Sequence, residues 1–262
     1  MLARCMTVLA LASTIALAPS GLAQSALTPP RIGFVRDDAG IVRPLFGISG
    51  NFWLGEKFAV EALSVASSGS FSILKTPHDI LVYNATGGLV GRPTPAAGSG
   101  LFAFAPAGSP VFAWLQDSGE LLRWNGPRFE PTPVSATNLN GTVISLAAPD
   151  PSTAAFLVQR GTEIWRVEVS VLNDAVVFAA NLPGLTAPAL LFDDGSVLYA
   201  GESALVLRNV LGVERTIPFP GTVAQFTQLG SDWVLINNSQ PPAHLALRLS
   251  TGAVFELPEV TQ

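Results

Sequence analysis

The chain has 262 residues, with 14 Lys and Arg against 19 Asp and Glu, a formal net charge of −5, and 48% hydrophobic residues. So much apolar material excludes an intrinsically disordered chain, and the scarcity of cations excludes an electrostatic footprint for nucleic acid or an anionic membrane surface. Only 13% of residues are charged, while 24 Gly and 21 Pro are spread along the chain, as turn-rich β structure requires.

The first segment reads as an address rather than as part of a fold. Arg4 is followed by the uncharged run "CMTVLALASTIALA" (residues 5–18), then Pro19, Ser20 and Gly21. "GLAQ" places small residues at −3 and −1 of a cut after Ala23, the layout of a secretory signal peptide. The run is shorter than the roughly 20 apolar residues of a spanning helix. The expected mature chain is a single domain over 24–262, exported to the periplasm or the extracellular space. It carries 13 Lys and Arg against 19 acids. The only cysteine, Cys5, leaves with the signal, so the mature chain has no disulfide, no thiolate metal site and no cysteine nucleophile. It must be held by its core.

"RIGFVRDDAG" and "IVRPLFGISG" (residues 31–50) open the domain and read as third and fourth strands lacking a first and a second. Five units of one pattern follow. Each starts with strand, small polar turn, strand: "SVASSGSFSILKT" from Ser64, "FAFAPAGSPVFAWL" from Phe102, "ISLAAPDPSTAAFLV" from Ile144, "ALLFDDGSVLYAG" from Ala189 and "QFTQLGSDWVLIN" from Gln225. The turns fall at Gly69, Gly108, Pro151, Gly195 and Gly230, in steps of 39, 43, 44 and 35 residues. A third strand comes next in each unit ("DILVYNATG", "ELLRWNG", "EIWRVEVS", "ALVLRNVLG", "LALRLSTG"). A fourth, mostly ended by proline, completes it ("GLVGRPTP", "RFEPTPV", "AVVFAANLP", "VERTIPFP", "AVFELPEV"). Proline suits an outer edge, where a missing backbone donor faces solvent. No long 3.6-residue periodicity predicts a helix.

Four strands repeating about every 40 residues predict an all-β fold, a β-propeller of four-stranded antiparallel blades. One such sheet has two apolar faces and cannot bury both alone; stacked radially, each blade covers its neighbours. The best count is six, one blade being incomplete, with five and seven open. On its "DDGSVLYA" hairpin followed by "LRNVLG", and on the spacing of residues 31–259, the chain resembles exported bacterial β-propeller repeat proteins, loosely of the WD-repeat or lactonase-like kind. It departs from the WD pattern in lacking a Trp-Asp dipeptide at the ends of its third strands. The resemblance implies a fold and transfers no site residue.

Candidate chemistry is sparse. His78 sits in "KTPHDI" and His244 in "SQPPAHLAL", neither beside an obvious nucleophile, and no G-x-S-x-G elbow is present. "DDG" at residues 193–195 and "DDAG" at residues 37–40 read as turn formers rather than as a calcium loop, which needs six to eight oxygens. No cofactor or metal is expected, since phosphate loops and metal-ligand spacings are missing from the sequence. An arginine recurs in the segments read as third strands, at Arg36, Arg123, Arg166, Arg208 and Arg248. It reads as a cover for apolar surface that pairs with a neighbouring blade's carboxylate or ring; a ring of cations for an acidic ligand is the competing reading. Sequons occur at Asn84, Asn140 and Asn237.

Two functions compete. The leading expectation is a monomeric, non-enzymatic interaction module that offers loops and channel mouth to a protein or glycan, without nucleic acid and without membrane insertion. The alternative is a propeller hydrolase or lyase acting on a small ester or sugar. Its catalytic residues are unknown; His78, His244, Asp79, Glu61 and Asp232 are the polar groups it would draw on. A third possibility is strand donation from a partner into the incomplete blade.

Overall fold

The computed structural model describes residues 30–37, 39–48 and 51–257. The segment read as a signal peptide lies outside them. Six antiparallel sheets follow one another along the chain. Blade I holds β1 (Arg31–Arg36), β2 (Val42–Ile48) and β3 (Asn51–Leu54); blade II holds β4 (Ser64–Ser67), β5 (Phe71–Lys75), β6 (Asp79–Asn84) and β7 (Thr94–Pro95). Blade III comprises β8 (Gly100–Phe104), β9 (Pro110–Leu115), β10 (Glu120–Trp124) and β11 (Phe129–Ser135). Blade IV comprises β12 (Thr142–Asp150), β13 (Thr153–Arg160), β14 (Glu163–Ser170) and β15 (Ala175–Asn181). Blade V runs through β16 (Ala189–Leu191), β17 (Val197–Ala200), β18 (Ala204–Arg208) and β19 (Glu214–Pro218). Blade VI runs through β20 (Thr222–Gln228), β21 (Trp233–Gln240), β22 (Pro242–Arg248) and β23 (Ala253–Glu256). Among the described residues the only helical piece is a 3₁₀ turn, Ala136–Asn138, and no helix is long and apolar enough to cross a membrane.

Six apolar clusters prove the ring, because each lies between two successive blades and the last joins the ends. Phe34, Val42, Val65 and Leu74 seal blades I and II; Ile73, Val82, Phe102 and Leu122 seal II and III. Trp114 and Phe156, edge to face at 5.4 Å, sit in the III–IV core. Leu157 and Tyr199 share the IV–V core, and Leu198 and Phe226 the V–VI core. Ile32, Val35 and Leu45 of blade I close the circle on Leu235, Ala246 and Leu257 of blade VI. Burial is deepest on the second strands: all six residues of β9 are buried. A two-sided apolar strand is what radial stacking demands.

Blade I corrects the sequence reading. Its strands are three, and they occupy the second, third and fourth positions rather than the third and fourth. Arg36 at the end of β1 donates to the carbonyl of Ala62 (2.6 Å), and Ala62 N–H donates to Gly40 in the β1–β2 turn (2.9 Å). That turn therefore sits at the end of the ring from which β4 departs, where every other blade has its second-to-third hairpin. Arg31, at the opposite end of β1, donates to the carbonyl of Asn84 at the end of β6. β1 thus runs opposite to the first strands. No first strand stands inside it among the described residues; β4 and β20 come together directly there. Gly33 of β1 is pressed against Ser67 and Leu229, which a Cβ would meet at 3.1 and 3.0 Å.

Candidate functional site

Two openings lie along the propeller axis. The channel, about 100 Å³, is lined by the first strands of blades II to VI: Ser64–Ala66, Gly100–Phe102, Ile144–Leu146, Ala189–Leu190 and Gln225–Gln228, with Pro188. Its walls carry small, hydroxyl, aliphatic and amide side chains with Phe102 and Phe226, and no titratable one. A larger cavity, about 370 Å³, opens at the end where first strands turn into second strands.

Four blades build this mouth cavity. Blade II contributes Ser68, blade III Phe104 to Pro106 and Gly108, blade V Phe192 to Asp194, Ser196, Leu207 and Arg215, and blade VI Gln228, Ser231, Asp232, Leu249 and Ser250. The hairpins hold their shape through their own polar groups. In the β16–β17 turn, Gly195 takes φ of +80°, Ser196 N–H donates to Asp194 Oδ1 (2.8 Å), and the Ser196 hydroxyl bonds the same oxygen. This confirms "DDG" as turn chemistry. The same turn nevertheless offers Asp193 and Asp194 to the cavity. The β1–β2 turn uses the same device, Asp37 Oδ1 accepting from Ile41 N–H (2.8 Å), but lies at the far end of the ring.

Asp232 is the best-anchored acid of the mouth. It accepts from Arg248 Nε (2.8 Å), from Ser250 N–H (2.7 Å) and from the Ser250 hydroxyl (2.9 Å). Burial works against its charge, but the bonds from Arg248 and Ser250 outweigh it and hold the carboxyl below its ordinary pKa. Arg215 reaches from blade V to the carbonyls of Leu249 and Ser250, tying the cavity wall across the V–VI boundary. Ser68 Oγ donates to Gly108 O and ties II to III.

Of the residues named for an enzyme, only Asp232 lines this cavity. His78 is exposed in the β5–β6 loop, beside Asp79 at the start of β6. His244 Nδ1 bonds Asn237 Oδ1 (2.9 Å) across β21 and β22, and Glu61 lies in the bridge to Ile41. The five are not brought together. Among the described residues no group of three or more His, Cys, Asp or Glu could hold a metal ion.

Four of the five recurrent arginines, Arg36, Arg166, Arg208 and Arg248, have structural partners. Arg123, Arg166, Arg208 and Arg248 do lie on third strands, whereas Arg36 ends a strand in second position. Arg166 pairs with Glu168 and bonds Gly195 O of the next blade; Arg208 pairs with Glu214 and bonds Pro183 O (3.0 Å); Arg248 pairs with Asp232. Each also lies over a ring, Phe178, Tyr199 and Trp233 respectively. The carboxylates belong to the arginine's own blade; the bonds that cross blade boundaries go to backbone carbonyls. Sequence reasoning missed the mouth residues Ser68, Asp193, Asp194, Arg215 and Ser250 as a set, because turn-forming Asp and Ser carry no mark of which turns converge.

These features define a six-bladed β-propeller with an open cavity at one mouth. The fold is similar to several solved propellers. TolB from Acinetobacter baumannii matches with a TM-score of 0.53 at 13% identity, over 87% of this chain and 63% of that one. The chain therefore spans less than two thirds of the length of that TolB chain. A chain of a nidogen/laminin complex matches with a TM-score of 0.55 at 13% identity, over 86% of this chain and 92% of that one. A protein of unknown function from Bacteroides caccae matches with a TM-score of 0.51 at 13% identity, over 86% and 92%. No protein-family model and no curated protein matches the sequence.

Proposed function

We propose that this chain is an exported, non-catalytic binding module that receives a protein or glycan partner at the mouth formed by its first-to-second hairpins. The observation that carries the reading is the cavity of about 370 Å³ assembled by four blades, with Asp193, Asp194 and Arg215 on an apolar floor of Phe104, Phe192 and Leu249. A concave, mostly apolar surface with a few placed polar groups is the usual form of a recognition site. A rigid ring lets separate turns act as one surface, as loops on a scaffold commonly do. A protein partner is in keeping with the similar fold solved within a nidogen/laminin complex. Export follows from the signal-peptide layout of residues 1–23.

The test uses the purified chain as bait on a glycan array and against extracellular protein from its source, beside an Asp193→Asn/Asp194→Asn/Arg215→Ala variant. A partner retained by the wild type and lost by the variant, with unchanged melting, supports the reading. A partner retained equally by both places recognition elsewhere and overturns it, as does turnover of an ester or sugar substrate.

A further inference from the structure

Exposed apolar side chains are scattered singly on most proteins, but here they are concentrated. Of the ten large hydrophobics that stand exposed among the described residues, seven belong to blades IV and V. Leu172, 71% exposed, tips the β14–β15 turn, and Val176, Val177 and Phe178 follow on β15. Val210, Leu211 and Val213 form the β18–β19 turn at the same end of the ring, Leu211 being 84% exposed. That turn is braced: Asn209 Oδ1 accepts from Leu211 N–H (3.0 Å) and Val213 N–H (2.9 Å). The apolar tip is thus held in a fixed position.

β15 differs from the outer strands of blades II, III, V and VI, and it is longer than the four-residue β3 of blade I, NFWL, which also lacks charge and proline. β7 contains Pro95, β11 contains Glu130, Pro131 and Pro133, β19 contains Glu214, Arg215 and Pro218, and β23 ends in Glu256. Charge and proline are the ordinary means of keeping an edge from sticking. β15 reads AVVFAAN, seven residues with neither. It carries one bulge, opposite Glu168 and Val169, where its ladder with β14 shifts register and the strand bends.

We propose that the outer face of blades IV and V is the interface of a two-fold homodimer of this chain. Its seven side chains together expose on the order of 700 Å², near the ~800 Å² per partner of a standard interface. A two-fold contact sets one surface against its own copy, so every charge on it risks meeting its like. In a chain with an excess of acids, the uncharged β15 is the outer strand that meets this condition over seven residues. None of the seven side chains lines the mouth cavity, although the β18–β19 hairpin that carries three of them also lends it Leu207 and Arg215; this inference stands whether or not the mouth binds a partner.

Sedimentation of the purified chain up to about 100 μM decides it. The expected result is a species of twice the monomer mass that dissociates on dilution. Val177→Lys and, independently, Leu211→Glu each weaken association at least about tenfold, while Leu89→Lys on blade II leaves it unchanged. Both key positions are exposed, and unchanged melting shows that the variants fold. A wild type that is monomeric throughout, growth beyond the dimer, or equal weakening by Leu89→Lys overturns the proposal. So does a monomer whose capture of another protein is lost in Val177→Lys.

Discussion

Lys75 is a fully buried ion at the end of β5, and its replacement by methionine tests what holds the lower rim of blade II. Its ammonium donates to Thr76 O (2.6 Å) and Ala96 O (2.7 Å), fastening the β5–β6 loop to the connection that leads into blade III. Hydrogen bonds to a charged group are worth about 1.5–3 kcal/mol each, so Lys75→Met removes about 3–6 kcal/mol of attraction and strands two carbonyls. Against this, a desolvated charge disappears, which returns several kcal/mol, and methionine refills most of the volume. The expected balance is a loss of about 2 kcal/mol, with Lys75→Ala losing about 2 kcal/mol more through its cavity. Urea titration gives both values from midpoint shifts at constant slope. The pH dependence supplies a second signature. Burial lowers the Lys75 pKa from its usual 10.5, with Asp79 and Asp117 opposing. A lysine depressed in the folded state penalises folding below the folded value, and the penalty is relieved as pH rises from there to 10.5. Wild-type stability should therefore gain in that window relative to Lys75→Met. A methionine variant as stable as wild type, with the same alkaline profile, would refute the clamp.

Gly33→Val places a branched side chain where a Cβ already meets Ser67 and Leu229; overpacking should cost about 3 kcal/mol, and hydrogen exchange should show the I–VI seam opening before the other five. Asp232→Asn removes the pair with Arg248. Because the wild-type carboxyl sits below its ordinary value, its contribution is present above the unfolded pKa near 3.8 and fades as pH falls through the folded one. The variant's acid-unfolding profile should be flatter, and an unchanged acid limb would deny the pair a role. Phe156→Ala, in the core between blades III and IV and wholly buried, should lose about 4 kcal/mol by calorimetry; a loss under about 1 kcal/mol would mean that the blades slide to fill the space.

The repeat was legible because strand, turn and strand are local. "DDGSVLYA" shows its turn in Asp194 and Gly195 and its two apolar arms directly, and five such units gave five complete blades. Radial position was not legible. "RIGFVRDDAGIVRPL" is a hairpin by its own residues, but its rank within a blade depends on what lies to either side, namely Ser67 and Leu229 for Gly33. β3, only four residues long, was missed for a related reason: NFWL shows no period before its partner Leu45–Ile48 is known. The mouth cavity joins Ser68 to Asp232 across 164 positions. Only the ring's radius brings those turns together, and no local pattern encodes a radius.

Closure has a consequence for how such a ring comes apart. Among the described residues no sheet mixes strands from the two ends of the chain: β1 to β3 form one sheet and β20 to β23 another. Many rings are buttoned by a shared ladder; among the described residues this join is made by apolar contact, Ile32, Val35 and Leu45 against Leu235, Ala246 and Leu257, with Phe52 edge to face on Trp233 and Phe255. Tension applied across the described blades I and VI would meet no shared strand ladder between them, and the expected first break is there, a zipper without a final tooth, ahead of any of the six sheets. By the same token a circular permutant cut between two of the four-stranded blades and linked across the old ends should sever no strand pairing among the described residues.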